Sequence, residues 1–178
     1  GNDIVDINND GLPDVVALDM DPEDNFRKKM MLNANSYQKY QNSDRFGYNY
    51  QYIRNTLQLN QGPRIESNDS IGAPVFSEIG FYSGIAETDW SWTPLVSDFD
   101  NDGNRDIFVA NGYRRDLFDG DIQQKQDLYV QANMHKYQSA EEMVDKGFKE
   151  YIEIYDPIKV RNYLFRNKGD IQFENVSQ

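Results

Sequence analysis

Two stretches of the chain offer the oxygen-rich side chains that a hard metal ion needs. They are Asp6-Ile-Asn8-Asn-Asp10-Gly11-Leu12-Pro-Asp14 and Asp98-Phe-Asp100-Asn-Asp102-Gly103-Asn104-Arg-Asp106, which share the pattern D-x-[DN]-x-D-G-x-x-D and lie 92 residues apart. Ca²⁺ takes six to eight oxygens at about 2.3–2.6 Å, so a tight loop must alternate carboxylate or amide side chains and add a backbone carbonyl. The pattern therefore predicts two calcium sites. Asp6, Asn8, Asp10, Asp14 and the Leu12 carbonyl would bind one ion; Asp98, Asp100, Asp102, Asp106 and the Asn104 carbonyl would bind the other. Gly11 and Gly103 stand where the chain must bend sharply.

An EF-hand loop begins in the same way but needs a bidentate Glu at its twelfth position and flanking helices. That position is Ala17 in one copy and Val109 in the other. Each loop instead enters an apolar run, Val15-Val16-Ala17-Leu18 or Ile107-Phe108-Val109-Ala110, with the β-branched and aromatic content of a buried strand. Asp/Asn/Gly clusters also form ordinary turns, because both side chains bond their own backbone. The second copy, with the same spacing and the same sequel, is what favours metal over turn.

The similarity continues downstream, which makes a repeat the organising feature. Asn55-Thr-Leu-Gln-Leu-Asn60-Gln-Gly62 with Pro74-Val-Phe76-Ser-Glu-Ile79 matches Asn162-Tyr-Leu-Phe-Arg-Asn167-Lys-Gly169 with Ile171-Gln-Phe173-Glu-Asn-Val176. Each pair predicts a two-stranded ribbon, and residues 63–73 read as a polar loop inserted in the first. One unit is then a strand before the metal loop, a strand after it and the ribbon, which is four short antiparallel strands, as in a propeller blade. Before Asp6 there is no evident room for the leading strand, whereas Trp92-Thr-Pro-Leu-Val-Ser97 supplies it in the second unit. Together with Gly1-Asn-Asp-Ile, this reads as an internal piece of a longer protein.

The expected organisation is mainly β, a single propeller fragment over residues 1–178. Unit one is 1–80 with an insert at 19–54; unit two is 81–178 with an insert at 112–161. Both inserts read as helical. Phe26, Met30, Asn33, Tyr37 and Tyr40 keep helical spacing after Pro22-Glu-Asp24, and Ser139-Ala-Glu-Glu142 forms a capping box. Met143, Val144, Phe148, Tyr151, Ile152 and Tyr155 mark one face until Pro157, and Ile122 to Tyr137 predicts a further helix with Leu128, Tyr129 and Ala132 inward. These stripes are read as packing against the blades. Twelve tyrosines nonetheless leave enough amphipathic aromatic surface for a glycan or protein ligand.

A net charge of −12 argues against nucleic acid and anionic membranes as partners, since both would repel the chain. No apolar run is long enough for a membrane span, and no N-terminal signal peptide is evident. Cysteine is absent, as in a protein of a reducing compartment or an extracellular one braced by metal in place of disulfides, and the weak calcium affinity of extracellular modules, about 10⁻⁴–10⁻³ M, favours the second. Catalytic signals are weak. Asp116/Asp119 and Glu141/Glu142 could serve as acid and base in polysaccharide cleavage, yet His135 is the sole histidine, and no serine-elbow or zinc-helix motif occurs.

The run from Trp90-Ser-Trp92 through the second loop to Asn111-Gly112, closed by Asn162–Gly169, resembles the FG-GAP/VCBS repeat family, as does Asp3 to Met20. The inserts at Leu18–Asp24 and Asn111–Asp116 resemble those of large Bacteroidetes surface proteins whose repeats sit beside ASPIC/UnbV-type domains. This resemblance implies two blades of an integrin-α-like calcium-binding β-propeller, displayed at the bacterial cell surface and non-catalytic. It implies adhesion or ligand binding, with a propeller-based polysaccharide-degrading enzyme and a pure scaffold as the alternatives. Two blades cannot close a ring, so neighbouring blades of a parent chain or self-association are expected as well. Asp69-Ser70-Ile71 resembles a short Bacteroidetes O-glycan acceptor, and Asn68-Asp-Ser70 and Asn175-Val-Ser177 fit the N-glycan pattern.

Overall fold

The computed structural model describes residues 1–31, 37–67, 70–116 and 119–177, so Asn33, and Asn68 and Asp69 of the acceptor motifs, lie outside the described residues. Strands β1 (Asn2–Val5), β2 (Asp14–Ala17) and β3 (Met20–Asp21) precede helices α1 (Asn25–Met30) and α2 (Tyr37–Phe46). Then come β4 (Thr56–Ile65), β5 (Ile71–Glu78), the one-turn α3 (Gly80–Ser83), β6 (Asp89–Ser97) and β7 (Asp106–Asn111). Helices α4 (Gly120–Asn133) and α5 (Ala140–Ile152) and strands β8 (Tyr163–Asn167) and β9 (Phe173–Asn175) complete the chain.

The protein is mainly β, with two antiparallel sheets. One has the order β1-β2-β4-β5 and the other β3-β6-β7-β8-β9. Where the sequence suggests one fragment, the chain divides into two compact units. The first joins residues 1–23, 51–112 and 160–178; the second joins 24–50 and 113–159. The first holds both sheets, and the second gathers the two inserts.

The sheets repeat each other residue for residue. Val5 pairs with Asp14 and Ile4 with Val15 in the first sheet; Ser97 pairs with Asp106 and Val96 with Ile107 in the second. Val16 opposite Leu57 is matched by Phe108 opposite Leu164. Because strand side chains alternate with a period of two, a slip of one residue would exchange the faces. Matching positions therefore occupy the same face of each sheet, although the two sheets bury opposite faces. The core of this unit comes from Ile7, Val16 and Leu57 on one sheet, Ile107, Val109, Tyr163 and Phe165 on the other, and Ile85 between them in sequence.

Two expectations about strands are corrected. The chain does form a strand before the first loop. Four residues suffice for β1, because β2 supplies its hydrogen bonds and Asp3 Oδ2 accepts from the Val96 backbone N–H at 3.1 Å. Residues 63–73 are not wholly an inserted loop either. The ribbon continues through a bulge beyond Asn60, and Pro63 faces Pro74 and Ile65 faces Ile71 before the turn. A bulge absorbs the extra residues without ending the pairing.

The inserts are helical, but their stripes do not all point inward. In place of one helix, α1 ends at Met30, where Met31 turns to extended backbone, and α2 begins at Tyr37. Asp24 caps α1 by accepting the Arg27 N–H. Phe26, Tyr37 and Tyr40 are exposed, which overturns their assignment to packing. In α4 the buried residue is Ile122, while Leu128 and Ala132 face solvent. Helical spacing alone gives a stripe without saying whether anything covers it.

The second unit is tied instead by polar contacts. Arg27 bonds Asp116 at 2.6 Å and also Tyr113, and Arg115 donates to the Tyr155 carbonyl at 2.7 Å. Burial pushes the Tyr113 phenol up, so it stays neutral as it donates to Asp116. The capping box forms with one shift. Ser139 Oγ accepts from Glu142 N–H, but the Glu142 carboxylate takes the N–H of Gln138 in place of that of Ser139. Met143 and Tyr155 are buried as expected, α5 ends at Ile152 ahead of Pro157, and His135 is exposed in a short 3-10 turn.

Candidate metal centres

One oxygen-rich loop joins β1 to β2 in the first sheet, and the other joins β6 to β7 in the second. The loops have the same backbone conformation. Asn9 and Asn101 both sit at φ near 60°, and Gly11 and Gly103 have φ of 86° and 92°. Asparagine tolerates the left-handed region because its side chain bonds locally, and glycine does so because it lacks Cβ. A Cβ at Gly103 would meet no atom within 4 Å, so the constraint is conformational and not one of space. Gly103→Ala is accordingly expected to cost about 1–2 kcal/mol of stability, read as a lower denaturant midpoint at unchanged slope.

The leading aspartate closes each loop. Asp6 accepts the N–H groups of Asp10 and Gly11 at 3.0 and 2.9 Å; Asp98 accepts those of Asp102 and Gly103 at 3.1 and 3.0 Å. The last aspartate anchors the loop to the core. Asp14 is fully buried and accepts from Ile7 N–H at 2.9 Å and Asn60 N–H at 2.8 Å. Asp106, 3% exposed, accepts from Phe99 N–H at 3.1 Å and Asn167 N–H at 2.9 Å. A carboxylate has about four lone-pair positions, so each of these keeps acceptor capacity for a cation.

In the second loop, oxygens of Asp98, Asp100 and Asp106 lie within 4.8 Å of one another. That spacing lets one cation touch all three, and the hard oxygen set suits calcium or magnesium rather than a thiolate-seeking metal. Asp102, expected as a fourth ligand, stands outside this triad and accepts the Asn104 N–H at 2.8 Å. The first loop brings together no such triad of carboxylates among the described residues. Its third position is Asn8, whose amide donates to Asp10 at 2.8 Å, while Asp10 also accepts the Leu12 N–H.

Several residues that shape the site were not singled out from sequence. Asn60 and Asn167 each span from ribbon to loop. Asn60 donates to the Pro13 carbonyl and accepts the Gly62 N–H; Asn167 donates to the Arg105 carbonyl and accepts the Gly169 N–H. The Asn in the ribbon motif was the available signal. Asn55 and Asn162 likewise accept from Asp19 and Asn111 N–H, both at 2.8 Å. The loops also touch one another. Arg105 donates to the Asp6 carbonyl and to Asn9 Oδ1, Asn9 donates to the Gly103 carbonyl at 3.1 Å, and Asn167 reaches the Ile7 carbonyl at 3.3 Å. Arg166 pairs with Asp100 at 3.0 Å, so a guanidinium borders the triad.

Comparison with known proteins found no matching family model, no matching curated protein and no matching solved structure.

Proposed function

We propose that the chain is a non-catalytic, extracellular calcium-binding repeat module, each sheet being one propeller-type blade and each oxygen-rich loop holding one Ca²⁺. The observation that carries this reading is the Asp98/Asp100/Asp106 triad, set in a loop whose backbone is repeated 92 residues earlier. The ions are structural. They bind loops that are already anchored through Asp14 and Asp106 to the core, and they offset part of the repulsion in a chain of net charge −12. The module then presents a glycan or protein ligand with a fixed surface, for which exposed aromatics of the sheet-bearing unit such as Tyr52, Tyr82 and Trp92 supply apolar area.

Three of the four carboxylates that could be paired for acid–base catalysis have structural work. Asp116 bonds Arg27 and Tyr113, Asp119 caps α4, and Glu142 bonds Gln138 N–H and Lys146. Lys146 above all, and then that backbone N–H, hold the Glu142 carboxyl below its usual range, the reverse of what a general acid needs.

Calorimetric titration of the chelator-treated protein with Ca²⁺ tests the reading. The expected result is about two sites per chain, with dissociation constants of about 10⁻⁴–10⁻³ M as in extracellular modules. No heat of binding at millimolar Ca²⁺ would rule the reading out.

A further inference from the structure

Residues 37–50 of the helical unit are rich in rings and yet build no core. Helix α2 ends in a turn where Gly47, at φ 68°, lets the N–H groups of Gly47 and Tyr48 bond back to the Asp44 and Ser43 carbonyls. That turn reverses the chain along the helix. Tyr50 then stacks on Tyr40, with ring centres 4.6 Å apart and planes at 11°, and its hydroxyl donates to Asp44 at 2.7 Å. Tyr48 lies 6.2 Å from Phe46 in the same way. The rings brace one another without covering one another: Tyr40 and Tyr50 are 45% and 42% exposed, and Tyr37, Phe46 and Tyr48 are more so.

The composition of this surface selects its occupant. A helix that docks in a protein groove presents apolar anchors along one face, whereas residues 37–50 contain no Ala, Val, Leu, Ile or Met and add the exposed amides of Gln38, Gln41, Asn42 and Asn49. Flat rings accept the C–H face of a sugar, and neutral amides donate to and accept from its hydroxyls. Charge narrows the class. Residues 25–50 hold five Lys and Arg against one acidic residue, Asp44, in a chain with 30 acidic residues and 18 basic ones. A locally basic surface on an acidic protein draws an anion to that place.

We propose that the aromatic surface of α2 binds an acidic polysaccharide, one whose sugars carry carboxylate or sulfate groups. The Tyr40–Tyr50 and Phe46–Tyr48 pairs stack on sugar rings, and Arg45, whose guanidinium lies 5.8 Å from the centre of the Phe46 ring, meets an anionic group. The site lies wholly within the helical unit and uses none of the metal-loop residues. It rests on the ligand-binding part of the function proposed above, for which it names the ligand class and the place, and it is independent of the metal.

Native gels cast with hyaluronate, chondroitin sulfate or glucuronoxylan test this with the intact chain, against gels cast with dextran or single-stranded polythymidylate. Retardation by at least one of the three acidic polysaccharides and by neither comparison polymer is expected, and added salt should weaken it. Tyr40→Ala and Tyr48→Ala should each raise the apparent dissociation constant about tenfold, while Tyr40→Phe, which keeps the ring, stays within about twofold of the parent. Tyr82→Ala, on the sheet-bearing unit, should bind like the parent. No retardation by any acidic polysaccharide, or equal retardation by dextran or polythymidylate, would overturn the proposal. Loss of binding in Tyr82→Ala with Tyr40→Ala and Tyr48→Ala unaffected would overturn it too, since the ligand would then sit on the sheets and the module reading would stand. Retardation that persists in a chain showing no calcium binding would strike the metal reading alone and support this site. All these side chains are exposed, so the variants should fold; should Tyr40→Ala lack the far-ultraviolet spectrum of the parent, Tyr48→Ala carries the test.

Discussion

Chelation of divalent cations is expected to lower the melting temperature of this chain by about 10–20 °C relative to a sample holding Ca²⁺ at a hundredfold excess over its dissociation constant. An ion that binds only the folded state at that excess contributes about 2.7 kcal/mol, and two ions contribute roughly twice as much. For chains of this size, 1 kcal/mol moves the midpoint by about 2–4 °C. Asp100→Asn should remove roughly half of the calcium response. Asp100 lies on the exposed side of the triad and pairs with Arg166 at the surface, so its loss weakens the site more than the fold. Magnesium should give a smaller shift, because it demands near-octahedral geometry and sheds water reluctantly. A melting temperature that does not respond to Ca²⁺ at that hundredfold excess would remove the metal from the account. Differential scanning calorimetry of both proteins, with and without chelator, reads all of these outcomes.

The repeat was legible in sequence because its constraints are local. A left-handed turn needs Gly11 or Gly103, a strand needs its alternation, and the ribbon needs Asn60-x-Gly62 or Asn167-x-Gly169; each leaves a mark within a few residues. What the alternation could not tell was which face each sheet would bury. Val15 and Val16 are both apolar, as are Ile107 and Phe108, so each strand offers two usable faces. The choice depends on the neighbouring sheet, which is a long-range fact. The inserts are helical as expected, but the inward assignment of their stripes is overturned for the same reason. Phe26, Tyr37 and Leu128 keep helical spacing and are nonetheless exposed, because periodicity reports a possible face and not its covering. Arg105 was hidden differently. It fills a position held by Pro13 in the other copy, so the repeat itself masked the residue that joins the loops.

Asp106→Ala is expected to destabilise the chain by on the order of 4 kcal/mol even without calcium, which separates its role from that of Asp100. Its carboxylate accepts the N–H groups of Phe99 and Asn167, and alanine leaves both donors without that acceptor, the Asn167 N–H buried and the Phe99 N–H partly so. Each such orphan costs about 1–3 kcal/mol. Asp106→Asn keeps one acceptor oxygen and should cost about half as much. Asp14→Ala should behave in parallel, since Asp14 holds Ile7 and Asn60 in the same way from a fully buried position. Urea unfolding in chelator therefore ranks the variants as Asp106→Ala below Asp106→Asn below the parent, with Asp100→Asn beside the parent. Added Ca²⁺ should then open a gap between Asp100→Asn and the parent that chelator does not show, and widen the gaps of the Asp106 variants, which also lose a triad oxygen. If Asp106→Ala unfolds like the parent in chelator, the loop is held by something other than its last aspartate. The order matters for mechanism: a carboxylate that anchors the loop before the metal arrives gives the ion a site that is already built, so binding energy goes into stability rather than into ordering the chain.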